Sequence, residues 1–191
     1  MTALLKTTDI LTPEEYLAFE SESHHRHELI AGRIYAMAGT TVVHGEIVLN
    51  ISASLHTQLR GKPCRPHTTD IKLKVRALSE ENYYYPDVMV ACDPADNAPL
   101  WRERPSVIFE VISPSSARTD LEKFYIYQHI PTLQLYAIVE QDRVMVTTIL
   151  RTADGWQRTQ LADPAASLPL DSIGCQLSLA QIYEGIEFSA A

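Results

Sequence analysis

Two carboxylates stand where their surroundings demand an explanation. Glu110 lies inside the run Val107-Ile108-Phe109-Glu110-Val111-Ile112, and Asp87 follows Tyr83-Tyr84-Tyr85-Pro86 at the head of Val88-Met89-Val90-Ala91. A run that is apolar on both alternating faces reads as a central strand covered from both sides. A lone carboxylate there costs on the order of several kcal/mol, so Glu110 must be paired, protonated or bound to a metal. The bland alternative is a buried structural ion pair. Two carboxylates converging from adjacent strands repel unless a proton or a divalent cation lies between them. Mg²⁺ or Mn²⁺ takes one or two protein carboxylates and completes its shell with water and substrate phosphate. Lys123, reaching in from the following helix, can orient a water or stabilise developing charge. The chemistry that fits is phosphodiester hydrolysis, with Asp87, Glu110 and Lys123 as the catalytic set and Asp87 and Glu110 as metal ligands.

The elements around this group follow from local signals. Thr12-Pro13-Glu14-Glu15 begins a short helix to about Glu20, with Thr12 capping and Glu15 closing a capping box. His24, His25 and His27 fit no ligand spacing and read as a polar loop. Arg26 to Met37 reads as a hairpin turning at Ala31-Gly32, with Glu28 and Ile30 sharing one face. Thr41 to Leu59 is a helix, since Ile47, Val48, Ile51, Leu55 and Leu59 recur at steps of three and four before Gly61. His44 falls on that stripe, either as a core histidine or as a substrate phosphate contact. Ile71, Leu73 and Val75 alternate with Lys72, Lys74 and Arg76 in a half-exposed strand. Residues 93–104 form a surface loop. A helix runs from about Arg118 to Gln128 after the cap region Ser113-Pro114-Ser115-Ser116, placing Asp120, Lys123 and Tyr127 on one face. A hairpin (Leu135–Val139 and Val144–Leu150), a strand from Trp156 to Leu161, and a short strand with a terminal helical turn complete the chain. Helix, hairpin, helix, strands, helix, strands means α/β or α+β with a mixed sheet.

Composition narrows the class. At 191 residues the chain is read as one domain over 11–186 with short tails at 1–10 and 187–191. No apolar run approaches a membrane span, and the first residues lack the features of a signal peptide. Cys64, Cys92 and Cys175 are odd in number and scattered, so no disulfide framework is expected and a reduced cytoplasmic setting is the default. A net charge of −8 argues against strong non-specific nucleic-acid binding. Yet Arg60, Lys62, Arg65, Lys72, Lys74 and Arg76 cluster against the single acid Asp70. They form either a solvated strand face or a phosphate-contacting stripe, and in the second case Lys72 and Lys74 join Tyr127 and His44 as substrate-binding candidates. A two-carboxylate glycosidase would want a sugar cleft with more aromatics than two tryptophans suggest. No Gly-x-Ser-x-Gly, Ser-x-x-Lys or Walker loop occurs.

These residues carry a resemblance. Tyr85-Pro86-Asp87, then Glu110-Val111-Ile112-Ser113-Pro114-Ser115, then Asp120 with Glu122-Lys123-Phe124 and Tyr127, resembles the PD-(D/E)XK nuclease superfamily, and within it the restriction-endonuclease-like family of Uma-two type. Glu28-Leu29-Ile30-Ala31-Gly32-Arg33-Ile34-Tyr35-Ala36-Met37 resembles that family's opening hairpin, with His44 following. Gln58-Leu59-Arg60-Gly61 with Cys64, Pro131-Thr132-Leu133 and Ile182-Tyr183-Glu184-Gly185 also match, so the likeness covers nearly the whole chain. It implies a restriction-endonuclease-like fold, with a mixed sheet between helices. It also implies a Mg²⁺- or Mn²⁺-dependent endonuclease acting on DNA, and ligation by Asp87, Glu110 and the Val111 carbonyl. Glu28 becomes a further active-site acid, and a homodimer is expected. The superfamily lysine two residues beyond Glu110 is replaced by Ile112, and Lys123 stands in for it. The alternative is a degenerate binding module that keeps the fold and hydrolyses nothing. The complete set of Glu28, Asp87, Glu110 and Lys123 favours the enzyme, because a purely structural domain has no need of all four.

Overall fold

The computed structural model describes residues 10–113 and 117–188, and of residues 117–121 the backbone alone. The capping role read at Ser115 and Ser116, the Asp120 side chain, and most of both tails lie outside the described residues.

Helix α1 (Pro13–Glu22) starts as the sequence dictates. The Thr12 hydroxyl accepts from the Glu15 N–H at 3.2 Å, while the Glu15 carboxylate accepts from the Thr12 N–H at 2.8 Å. Strands β1 (His27–Ile30) and β2 (Arg33–Ala36) form the expected hairpin, turning through Ala31 and Gly32 at φ of 50° and 73°. That left-handed pair is the turn that matches the twist of two antiparallel strands. His27 is not in a polar loop. It opens β1, is buried, and places Nδ1 3.1 Å from Glu20 Oε2.

Helix α2 (Val42–Gln58) is capped by Thr41 and buries Ile47, Val48, Ile51 and Leu55, the stripe its spacing defines. There follow β3 (Arg65–Thr68), β4 (Lys72–Ala77), β5 (Glu80–Tyr84), β6 (Val88–Ala91), the two-residue β7 (Trp101–Arg102) and β8 (Pro105–Ile112). Helix α3 (Ala117–Tyr127) leads to β9 (Leu135–Glu140), β10 (Val146–Thr152), β11 (Gly155–Leu161), β12 (Ser167–Leu170), β13 (Cys175–Ser178) and α4 (Leu179–Ile182).

The strands form a mixed α+β architecture with more than one sheet. A six-stranded sheet runs β11-β10-β9-β8-β6-β3, in which β8 and β9 are parallel and joined through α3. A five-stranded sheet runs β2-β1-β5-β4-β7, and β12-β13 stands as a small hairpin. Strand β8 is central in the larger sheet, as its two-faced apolar run requires. Phe109 and Val111 face a core shared with α2, and Ile108 and Ile112 face a second core shared with Tyr84 and Tyr127. Glu110 belongs to the second face.

Two expectations are corrected here. Strand β4 is not half-exposed: Lys72 and Lys74 are buried, because the rings of Tyr83, Tyr85 and Trp101 cover them. Cys64 and Cys92 form a disulfide. Strands β3 and β6 run antiparallel with Arg65 opposite Ala91, so the residues just beyond each strand face one another. Their sequence separation of 28 conceals this. Among the described residues no helix is long and apolar enough to cross a membrane.

Candidate active site

The carboxylates meet where the two large sheets and α3 come together. Glu28 stands on β1, on the face that also carries Ile30 toward the second core; Asp87 stands just before β6, Glu110 on β8, and Lys123 on α3. All three acids are nearly closed off, at 8%, 9% and 3% exposure. Burial of three carboxylates so close together is tolerable only because each has charged or hydrogen-bonding partners.

Those partners link the acids into one group. Lys123 Nζ donates to Glu28 Oε1 at 2.9 Å and lies 3.6 Å from Glu110 Oε1. The Tyr127 hydroxyl donates to the same Glu110 oxygen at 3.2 Å. The Tyr85 N–H donates to Glu28 Oε1 at 3.3 Å. Asp87 accepts from the Val111 N–H at 2.7 Å through Oδ2, which ties it to the residue next to Glu110, and its Oδ1 lies 3.0 Å from His44 Nε2. Three- and four-residue steps on α3 put Lys123 and Tyr127 on one side of the helix, and both reach Glu110.

Electrostatics follow the burial. Removal from water, then the charge of Glu110, holds the Tyr127 phenol well above its ordinary value, so it remains a donor. Tyr84, whose ring lies 5.9 Å from Lys123 Nζ, is pushed up in the same way by burial and by Glu28. A lysine shared between two acids cancels much of their repulsion and leaves the group with a net negative charge, which attracts a cation.

The residues fit a hard divalent cation. Asp87 and Glu110 offer carboxylate oxygens from neighbouring strands, each oxygen with two lone pairs, and the Val111 carbonyl belongs to the same stretch of backbone. Among the described residues no group of three or more His, Cys, Asp and Glu side chains forms a metal cage. Two carboxylates and a carbonyl would leave the rest of such a cation's shell to water and substrate oxygens.

The structure brings together Glu28, His44, Asp87, Glu110, Val111, Lys123 and Tyr127. It does not bring Lys72 and Lys74 to them. Lys74 lies 2.8 Å from Glu81 and 3.7 Å from Glu103, over the rings of Tyr83 and Trp101; Lys72 lies over Tyr85. Both alternate with Leu73 and Val75, so they occupy the other face of their sheet. Burial pulls the Lys72 ammonium below its ordinary pKa. Tyr127 is fully buried, so its route to a substrate runs through Glu110. Residue patterns alone left Tyr84 and the Tyr85 amide unassigned. The signal for them was the register of β1 on β5, Leu29 against Tyr83, which puts Glu28 beside Tyr84 and Tyr85.

Comparison with known proteins bears on the family and the fold. The model of the Uma2 family, described as "Putative restriction endonuclease", matches residues 13–181. "Uncharacterized protein slr1290" from Synechocystis sp. (strain ATCC 27184 / PCC 6803 / Kazusa) is 34% identical over 180 residues, covering 93% of this chain and 94% of its own. "Uncharacterized protein sll1609" of the same organism is 32% identical over 170 residues, covering 86% and 95%. A solved structure from Anabaena variabilis ATCC 29413, described as "a putative nuclease belonging to DUF820", superposes with a TM-score of 0.72 over 90% of this chain and 97% of that one. At 16% identity this last likeness carries the fold.

Proposed function

The chain belongs to the Uma2 family, and from that premise we propose that it is a divalent-metal-dependent endonuclease that hydrolyses phosphodiester bonds in DNA. The observation that carries the reading is the meeting of three buried acids from separate elements: Glu28 and Glu110 share Lys123, Tyr127 donates to Glu110, and Asp87 is tied to the same stretch of β8 through the Val111 N–H. A structural ion pair needs one acid and one base. Here two buried acids share one lysine and a third lies beside them, held by His44 and a backbone N–H, an excess of acids that a bound cation would offset.

Asp87, Glu110 and the Val111 carbonyl would hold Mg²⁺ or Mn²⁺. A divalent cation bound there supplies Lewis acidity toward a phosphoryl oxygen and lowers the pKa of coordinated water. The protein's own groups do the rest. Lys123 directs its ammonium at the attacking water or at the charge that builds on the phosphoryl oxygens. Glu28 fixes the Lys123 ammonium by a 2.9 Å bond, so the group is in place before substrate arrives. Tyr127 steadies the Glu110 carboxylate from the buried side, and His44 steadies Asp87 from α2. Concerted cleavage of both strands of a duplex would be served by two such sites, as a homodimer would present.

Calorimetric titration of Mg²⁺ and Mn²⁺ into wild type and Asp87→Asn/Glu110→Gln tests the metal assignment. The reading expects binding heat in wild type that is lost in the double variant while its circular dichroism stays native. Equal heats in both would overturn it. Metal binding with no hydrolysis of any nucleic acid favours the binding module instead.

A further inference from the structure

Several of the chain's cations are answered from within. Arg26 pairs with Asp70, Lys74 and Arg76 with Glu81 and Glu103, Arg104 with Asp93, and Arg143 with Glu140. In a chain with 24 acidic and 16 basic residues, that is what chance and selection against bare charge both produce. One stretch is bare of acids in the sequence itself. From Ile47 to Thr69 there is no Asp or Glu, yet the stretch contains Arg60, Lys62 and Arg65. Among the described residues, none of these three has a carboxylate within 4.0 Å.

The fold gathers part of this stretch around one surface cavity of about 210 Å³, lined by His56, Leu59, Arg60, Gly61, Arg65 and Pro66. The lining holds two guanidinium groups and an imidazole and no acid. Arg65 is oriented by the backbone, because its Nη1 donates to the carbonyls of Lys62 and Cys64. A guanidinium held this way loses less freedom when it meets an anion, and its fork matches a phosphate.

The cavity is also connected to the candidate active site by two rigid elements. Strand β3 carries Arg65 at one end and Thr68 at the other, and Thr68 pairs with Val88, the neighbour of Asp87. That spans roughly 10 Å at strand rise. Helix α2 carries His56 toward its far end and His44, on Asp87, at its start, roughly 18 Å away at helical rise. Phosphates a few nucleotides from a scissile bond lie at such distances.

We propose that the patch formed by His56, Arg60 and Arg65 binds the phosphate backbone of duplex DNA a few base pairs from the bond positioned at Asp87 and Glu110. The proposal rests on the nuclease reading for its choice of DNA. It replaces the single basic stripe suggested by the sequence: Lys72, Lys74 and Arg76 belong to another sheet, where Lys74 and Arg76 pair with Glu81 and Glu103 and Lys72 lies over Tyr85, while Arg60 and Arg65 remain available to an anion.

Fluorescence anisotropy of a labelled 30-base-pair duplex, in Ca²⁺ to suppress cleavage and over a NaCl series, measures this directly. Wild type, Arg60→Gln and Arg60→Gln/Arg65→Gln are compared after their melting curves are matched. Each lost phosphate contact makes the slope of log K on log [NaCl] shallower by about 0.9. The double variant is expected to lose about tenfold or more in affinity, with a slope shallower by nearly two contacts, and Arg60→Gln by nearly one. Metal-binding heats at Asp87 and Glu110 are expected to be unchanged. Unaltered affinity and slope in both variants, or a wild type that does not bind duplex, overturns the patch. A role confined to answering the carbonyl end of α2 would show as lower stability with an unchanged slope. The metal titration of the wild type decides the nuclease reading separately.

Discussion

At the scale of single residues, the account turns on Lys123. It touches both Glu28 and Glu110, and replacing it by Met keeps the aliphatic stem and removes the charge. Lys123→Met is expected to lower the cleavage rate by about 10²–10³-fold, the usual loss on removing one preorganised electrostatic group. Metal binding should survive. Glu28→Gln should lower the rate less, by about tenfold or more, because the ammonium stays but loses its anchor. Rate measurements at saturating metal check both, and equal rates in Lys123→Met and wild type would remove the lysine from the chemistry. Much of this site was legible in the chain. Glu110 stands out because a carboxylate amid Val, Ile and Phe has no cheap explanation, and Asp87 because it opens a strand after Pro86. The bonds of His44 to Asp87 and Lys123 to Glu28 were not legible. They join residues separated by 43 and 95 positions, and such separations are settled by tertiary docking rather than by local pattern.

At the scale of elements, the structure pins β3 against β6 through Cys64 and Cys92. The loop they close contains β4, β5 and the approach to Asp87. Loop-closure entropy for a separation of 28 gives about 3–4 kcal/mol of stabilisation. Urea unfolding of Cys64→Ser/Cys92→Ser, or of wild type under strong reductant, should therefore show a loss of about that size. An unchanged midpoint in both would mean that the bond does not constrain the unfolded chain. Elements with strong local signals were readable, as the Thr12–Glu15 capping box and the stripe of α2 illustrate. Strand β4 was not, and the reason is physical. Alternating lysines read as a solvent face, but here aromatic rings cover both, Tyr83 and Trp101 over Lys74 and Tyr85 over Lys72, and Glu81 and Glu103 meet the Lys74 ammonium. His27 misled in the same way, since its partner Glu20 lies on a helix that must fold back over β1.

At the scale of the whole molecule, burial of tyrosines ties stability to pH. Tyr16, Tyr84, Tyr85, Tyr127 and Tyr183 all have phenols raised above the ordinary value, with desolvation the largest cause in each. An unfolded tyrosine ionises near pH 10, while these stay protonated in the folded state. Below about pH 10 their contribution is constant. Above it the unfolded chain binds fewer protons than the folded one, so stability falls as pH rises. Phenolate absorbance of the buried tyrosines should accordingly appear together with loss of far-ultraviolet circular dichroism, in one steep alkaline transition. Ionisation of the five named phenols near pH 10 with the fold intact, beyond the absorbance of exposed Tyr125 and half-buried Tyr35, would contradict the burial described here. The mixed α+β class was visible from the order of helices and strands, but its division into two large sheets was not. Nothing local distinguishes a strand that joins β1 from one that joins β8.

The central claim is tested most directly by incubating purified wild type with supercoiled and linear duplex DNA in Mg²⁺ or Mn²⁺, beside Asp87→Asn. The account predicts metal-dependent nicking or linearisation by wild type, abolished by EDTA and reduced by at least about 10²-fold in Asp87→Asn. Intact DNA after prolonged incubation with wild type that demonstrably holds metal and duplex would contradict it.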